Sequence, residues 1–315
     1  MASLVALAQT TQLQLVSTAW PPFTNEAGEP RFALDLVEAA LGRIGVTSKT
    51  TLVDPAQYSS LLIKGPYDGS AAAWKDPERE RVLLYSQPYL ENRLILVGRT
   101  GADVSAKNLG DLAGKRVAIV GGYSYGDAVD NAGPSFLLTR SEEDSLRQLL
   151  AGTVDYTLMD EIVVQYIADN HSNEARAKLQ FGSDSLVTRP LYLAIKRTHP
   201  EAQSLIDRFN TQIRTMIADR TYHRLLHVGW IQADVDGDGL AEYVPQSDRW
   251  GPSEPERAYK VSSAAEVDSA PPQKRYLFGG TVYHDWTAVP EQFKIHDLQR
   301  PDPGIATVPI YKFSW

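Results

Sequence analysis

Arg79 is the first residue whose side-chain chemistry stands out in this sequence. A guanidinium presents a rigid planar fork that meets a carboxylate with two parallel hydrogen bonds. The residue lies in the charged run 75–81, so a solvated surface arginine is the plain alternative. Asp160 closes the apolar stretch 154–159 and suits a helix N-cap. Gly121-Gly122-Tyr123-Ser124-Tyr125-Gly126 falls between an expected strand and an expected helix. Free backbone N–H groups at such a terminus favour an anion, and Ser124 adds a hydroxyl donor. The glycine spacing is not Gly-x-Gly-x-x-Gly and no P-loop Lys-Ser/Thr follows, which argues against a nucleotide. Trp20 and Phe23 offer flat surfaces for a ligand's stem or for a cation, although core packing is the commoner fate of such rings.

A second constellation is acidic. Asp234, Asp236 and Asp238 alternate and lead into Gly239, which sets three carboxylates around one point as calcium loops require. Leu240 and Glu242 complete the candidate metal set. The bidentate glutamate of a full loop is missing, because Pro245 stands at the twelfth position. A structural Ca2+ is expected, with a metal-free Asp/Gly turn as the alternative, and no cofactor is expected for function. Catalytic patterns are lacking. There is no cysteine, no His-Glu-x-x-His, no Ser-His-Asp order and no clear catalytic carboxylate pair. His223 and His227 share a helical face at i, i+4, which reads as a structural pair ahead of a metal site.

The elements that must carry these groups alternate. With 315 residues the chain has room for two domains, and its 43% hydrophobic and 22% charged residues are those of a globular protein. A net charge of −8 and a pI near 5.3 disfavour nucleic acid and anionic membrane surfaces as partners. No apolar run is long enough to span a bilayer. Residues 1–9 read as the tail of an export signal without its basic start, either truncated or mis-assigned; a frayed terminus is the alternative.

Strands are expected at 13–18, 69–74, 93–98, 115–120 and 154–159, with extended chain at 186–196. Helices are expected at 33–44, around 58–62, after Ser141, and after His199 with Pro200 in the first turn. This is an α/β pattern. Beyond about residue 233 the chain turns rich in proline and aromatics, including Tyr276, Phe278, Trp286, Phe293, Tyr311, Phe313 and Trp315. It is expected to pack against one lobe, partly as short strands.

Several motifs in order resemble the bacterial extracellular solute-binding proteins of family 3, the polar amino-acid class. They are Trp20-Pro21-Pro22-Phe23, the Leu34-Asp35-Leu36 helix start and Tyr67-Asp68-Gly69. Pro77-Glu78-Arg79 with Tyr85-Ser86-Gln87-Pro88-Tyr89, then Gly114-Lys115-Arg116-Val117 and Gly152-Thr153-Val154-Asp155, complete the series. The resemblance implies a two-lobed, type II periplasmic-binding-protein-like fold with two hinge strands. Lobe 1 would be 10–96 plus 192–232, lobe 2 would be 97–191, and 233–315 would form a C-terminal extension.

The family's ligand lies in a cleft that closes over it. By that resemblance Arg79 holds a ligand carboxylate and Asp160 its ammonium, with Glu161 as the fallback if the register slips by one. Ser124 and its loop give a second grip, and Trp20 forms an apolar wall. The sequence departs from the pattern at Trp74 and Asp76, where the family has hydroxyl residues; Trp74 either stacks on a bulkier ligand or closes part of the pocket.

The function so implied is periplasmic capture of a small carboxylate-bearing solute, by a monomer without a membrane anchor, for the permease of an ABC transporter. The alternatives are an enzyme on the same fold, such as a cyclic-carboxylate dehydratase, and a sensory ligand-binding module.

Overall fold

Strand β1 (Gln12–Ser17) buries Leu13, Leu15, Val16 and Ser17 and ends just ahead of the turn at Trp20. The computed structural model describes residues 12–20, 22–75, 77–121, 133–248, 254–255, 258–261 and 274–294. Ser124, Asp76, Tyr311, Phe313 and Trp315 lie outside the described residues. Two compact units emerge. One takes in the described residues of Met1–Leu90 and Leu191–Leu225, the other those of Glu91–Pro190 and Leu226–Trp315.

In the first unit, helix α1 (Phe32–Arg43) turns Phe32, Leu36, Val37, Ala40 and Leu41 inward. It stops before Gly45, whose φ of +75° is the left-handed conformation that glycine adopts without strain. Strand β2 (Thr47–Leu52) runs parallel to β1, with Gln12 opposite Thr47. Helix α2 (Pro55–Lys64) is capped by the Asp54 carboxylate, which accepts from Ala56 N at 2.8 Å. Strand β3 (Gly69–Ala73) also runs parallel to β1.

The chain continues through the single turn α3 (Pro77–Glu80) and the short strand β4 (Leu83–Tyr85). Both β3 and β4 pair antiparallel with the end of the long strand β9 (Leu179–Lys196). Gly69 is required at that contact, because a Cβ there would meet Ala194 O at 1.9 Å.

The second unit begins on β5 (Leu90–Arg99), which lies beside β9 and pairs antiparallel with β8 (Tyr156–Asp160), Leu94 opposite Asp160. β6 (Arg116–Val120) runs parallel to β8 on one side and to β7 (Ser135–Thr139) on the other. Helix α4 (Glu142–Leu150) starts at Ser141, whose side chain accepts from Asp144 N, and turns Glu142, Ser145, Leu146 and Leu149 inward. The Asp144 carboxylate in turn accepts from Arg140 N. Helices α5 (Glu161–Asn170) and α6 (Ser172–Lys178) follow, and α5 turns Ile162, Val163, Val164 and Ile167 into the core with Leu146 and Leu149.

Helix α7 (Ala202–Ala218) returns to the first unit and buries Leu205, Ile206, Phe209, Ile213, Met216 and Ile217, the stripe legible in the sequence. Pro200 is not in its first turn; it precedes Glu201, the N-cap residue. In α8 (Thr221–Leu226) the Tyr222 hydroxyl donates to Tyr89 O at 2.6 Å.

His227 lies past the end of α8 with φ of +55°, so the i, i+4 pairing with His223 on one helical face does not form. A separate sheet then builds the second unit's outer part, in the order β12 (Tyr259–Lys260), β10 (Trp230–Ala233), β11 (Glu242–Pro245), β13 (Arg275–Phe278), β14 (Thr281–Tyr283). Trp230, Tyr276, Phe278 and Val289 form its core, with Trp286 and Phe293 against it.

Candidate binding faces at the strand ends

In α/β sheets the carboxyl ends of parallel strands are where loops converge and ligands are received. The first unit's parallel strands β1, β2 and β3 end near Trp20, Asp54 and Trp74. Trp20 is set by a tight turn: its N–H donates to Thr24 O at 2.7 Å, and the Thr24 hydroxyl ties back to Thr18 O at 2.6 Å. Its ring meets Trp74 edge-on at 5.4 Å and Phe23 at 4.7 Å. Phe23 is buried in the unit's interior, the packing role expected of it.

Arg79 sits on the turn just after Trp74. Its Nη2 donates to the Ser59 hydroxyl at 2.5 Å, and the guanidinium lies 5.4 Å from the centre of the Tyr58 ring. Tyr58 is held in turn by a 2.8 Å hydrogen bond between its hydroxyl and that of Ser70. Lys75 lies over the Tyr192 ring at 4.6 Å. Around this edge Trp20 and Trp74 therefore pack ring to ring, Arg79 lies over Tyr58 and Lys75 over Tyr192.

The second unit's corresponding edge is acidic. Asp160 is 1% exposed at the end of β8 and caps α5. One carboxylate oxygen accepts from Ile162 N at 2.9 Å; the other accepts from Asn92 Nδ2 at 2.6 Å and Arg93 N at 3.0 Å. Burial pushes its carboxyl up to about 7, against the pull of the Ile162 and Arg93 N–H groups and the Asn92 amide, while neighbouring Glu161 adds to the rise.

Glu161 is itself engaged by Arg93 Nε at 2.9 Å, and Arg93 also reaches Glu91 at 3.3 Å. Burial disfavours the charge on Arg93, but Glu161 and Glu91 more than compensate and raise its pKa. Asp160, not Glu161, therefore stands at the strand end with the helix N-terminus. Gly121, at the end of β6, donates to Thr139 O at 2.9 Å.

Sequence reasoning passed over one residue on this edge. Glu142, the first residue of α4, is 6% exposed, and its Oε2 is buried without a hydrogen-bond partner. Burial pushes its carboxyl to about 8, helped by the nearby charges of Asp160 and Glu143. In the sequence Glu142 reads as a first-turn acid after the Ser141 cap; the fold places it on one buried face with Ser145, Leu146 and Leu149.

In the acidic loop between β10 and β11, ligand atoms of Asp234, Asp236 and Glu242 lie within 4.8 Å of one another. Asp238 turns away from that group, accepting from Leu240 N at 2.8 Å and Arg275 Nη1 at 2.7 Å. Arg275 also reaches Asp236 at 3.3 Å and the fully buried Glu242 at 3.0 Å. Leu240 is 52% exposed. Of the expected metal set, Asp234, Asp236 and Glu242 converge, while Asp238 is engaged by an arginine that the sequence reading did not associate with this loop.

These elements define an α/β fold whose loops gather at the ends of its parallel strands. Residues 15–232 match the profile of bacterial extracellular solute-binding proteins, family 3, and the chain belongs to that family. A protein of Escherichia coli provisionally named ABC transporter arginine-binding protein 2 is 26% identical over 240 residues, covering 73% of this chain and 94% of that protein.

Among solved structures, the ligand-binding core of GluR0 from Nostoc punctiforme in complex with L-glutamate aligns with a TM-score of 0.50 at 22% identity. It covers 68% of this chain and 96% of that one. An ancestral cationic amino acid solute-binding protein aligns at 0.52 and 21% identity, over 69% and 94%. The fold is thus of the type II periplasmic-binding-protein kind. No helix among the described residues is long and apolar enough to cross a membrane.

Proposed function

We propose that this protein is a monomeric, periplasmic receptor that captures an amino acid or a close derivative and delivers it to the permease of an ABC transporter. The observation that carries the reading is the opposite chemistry of the two strand-end edges. One gathers Arg79 with aromatic planes; the other ends in the buried Asp160. A zwitterion needs both: a guanidinium fork for its carboxylate and an acceptor for its ammonium. The names of the Escherichia coli relative and of the ancestral cationic amino acid protein support the same ligand class.

In this reading Arg79 takes the carboxylate, Asp160 the ammonium, and Trp20 and Trp74 cover the stem. Ser124 adds a donor, and closure of lobes 10–96 plus 192–232 and 97–191 buries the ligand. Native mass spectrometry of the purified protein, followed by titration calorimetry with the released molecule and with the common amino acids, tests it. A protein that retains no small molecule and binds no amino acid is not such a receptor.

A structural calcium ion at Asp234, Asp236 and Glu242 is a separate proposal. It is supported by the convergence of those carboxylates within 4.8 Å and by the surplus of acid over the single Arg275 beside them.

A further inference from the structure

We propose that Glu142 and Asp160 act as a proton-sharing carboxyl pair, so that capture of a cationic ligand group beside Asp160 is coupled to release of a proton. The proposal rests on the reading of Asp160 as the ammonium's partner. Glu142 need not touch the ligand; it acts through Asp160 as a positioning residue.

The geometry starts with α4. Its inward face is Glu142, Ser145, Leu146 and Leu149, and it packs on β6, β7 and β8. Ser145 is held low on that face by the Thr139 hydroxyl at 2.6 Å. Glu142, one turn nearer the N-terminus, is therefore carried to the carboxyl edge of the sheet, where β8 ends in Asp160. Its Oε2 finds no donor there.

Asp160, in contrast, has three donors, from Ile162, Asn92 and Arg93. A buried carboxylate without a donor is costly in its charged form. Of two such groups close together, the one without donors holds the proton. Glu142 is that group.

The charged surroundings leave few other candidates for the proton. Beside Glu142 on its own element are Glu143 and Asp144, with Arg140 just before it; Asp144 is paired with Arg147. From β8 the facing group is Asp160. β7 carries no titratable side chain, and Arg116, at the start of β6, is tied to Asp155. Around Asp160, Glu161 and Glu91 are both occupied by Arg93. No histidine lies on β6, β7 or β8. An incoming ammonium or guanidinium stabilises the doubly ionised pair and expels the shared proton to solvent.

The sign for stability follows. Burial raises both carboxyls, so their protonated forms favour the folded state. That contribution is complete below the ordinary carboxylate range and is lost as pH climbs through about 7 for Asp160 and about 8 for Glu142.

Calorimetry with L-arginine and with L-glutamine, in two buffers of different ionisation enthalpy at neutral pH, reads the proton directly. About one proton is expected to leave per ligand bound between pH 7 and 8, where the two carboxyls together hold about one, with affinity rising about tenfold per pH unit there. In Glu142→Gln the release should fall to the smaller fraction that Asp160 itself gives up, and the slope there should become shallower. The unliganded melting temperature provides a second measurement. It should fall from pH 5 to pH 8 in the wild type and fall less in Glu142→Gln.

Ligand bound without proton release, or superimposable melting profiles, overturns the pair and leaves the receptor reading standing. A wild type that binds no amino acid removes both.

Discussion

On the turn α3, past the end of β3, the first unit places an arginine in a half-exposed setting, its guanidinium resting on Tyr58 and Ser59. At the end of β8 the second unit places an aspartate that is 1% exposed and fixed by three donors from Ile162, Asn92 and Arg93. The two groups are proposed to serve one ligand, yet they are built differently. A half-exposed side chain on a short surface turn is less committed to the fold than a buried one. A buried N-cap carboxylate is already oriented, and it also supports the fold. The difference separates binding from stability: the cationic edge should be expendable for folding and essential for capture, whereas the acidic edge should matter for both.

The sharpest way to break this contrast is at Arg79. Arg79→Ala should weaken amino-acid binding about a hundredfold or more, roughly 3 kcal/mol, because the ligand carboxylate loses its charged partner. Arg79→Lys should recover little, since an ammonium lacks the two-pronged geometry. Calorimetry beside thermal melting checks this, and melting should be unmoved. A large drop in stability would show that Arg79 is a structural residue of the α2–α3 region.

Asp160 should behave oppositely. Asp160→Ala leaves three buried donors without an acceptor and should cost about 2–3 kcal/mol of stability. Asp160→Asn keeps a capping oxygen and a similar shape, so it should fold while binding an amino acid about tenfold or more weakly. Denaturant melts and calorimetry on both variants separate the cap from the charge. Equal binding in Asp160→Asn and wild type would confine Asp160 to the cap.

The two edges were not equally legible in the sequence. Strand ends could be placed because prolines, glycines and caps mark them: Gly45 beyond α1, Ser141 before α4 and Asp160 before α5 all stand where the local chemistry puts them. Pro200 misled, because proline suits a helix start but also the turn before one.

His227 misled for a different reason. Helical spacing alone does not show that α8 ends at Leu226. Glu142 was hidden because a glutamate after a serine cap normally reads as a solvated first-turn acid. Only the sheet beneath α4 turns it inward. Arg275 lies 39 residues beyond Asp236, and no local pattern announces a partner at that range.

A smaller effect is expected where the outer sheet meets the acidic edge. The Tyr259 hydroxyl accepts from Glu91 N at 3.1 Å and donates to Glu91 O, at the residue where β5 enters the second unit. Tyr259→Phe keeps the buried ring and removes both bonds, so it should cost about 1–2 kcal/mol. Thermal melting and hydrogen exchange at residues 91–93 measure it. If the outer sheet helps to hold the acidic edge, exchange there should quicken. Unchanged exchange would mean that Asp160 and Arg93 hold the strand without the outer sheet.

The smallest effect should come from calcium, and Arg275 is the reason. Four carboxylates, Asp234, Asp236, Asp238 and Glu242, gather at the loop between β10 and β11, and one guanidinium already meets three of them. The loop also satisfies itself internally: Asp234 accepts from Gly237 N and Gly239 N, Asp236 from Asp238 N, and Glu242 from Val235 N. A cation bound by Asp234, Asp236 and Glu242 therefore adds to a partly neutralised site. Loops of this kind in extracellular proteins bind at about 0.1–1 mM, so a few millimolar calcium should stabilise by only about 1–2 kcal/mol.

Arg275→Met retains the length of the stem and removes the charge, leaving Glu242 buried among unneutralised acids. Its melting temperature should be lower than that of the wild type without metal, and calcium should raise it by more. Ligand affinity at the strand ends should change in neither protein, because no residue of this loop belongs to them. Scanning calorimetry of both proteins with chelator and with calcium, beside metal analysis of the purified wild type, decides the matter. If calcium moves neither melting temperature, Arg275 alone neutralises the loop, and the acidic residues of the second unit serve only its strand-end edge and this arginine.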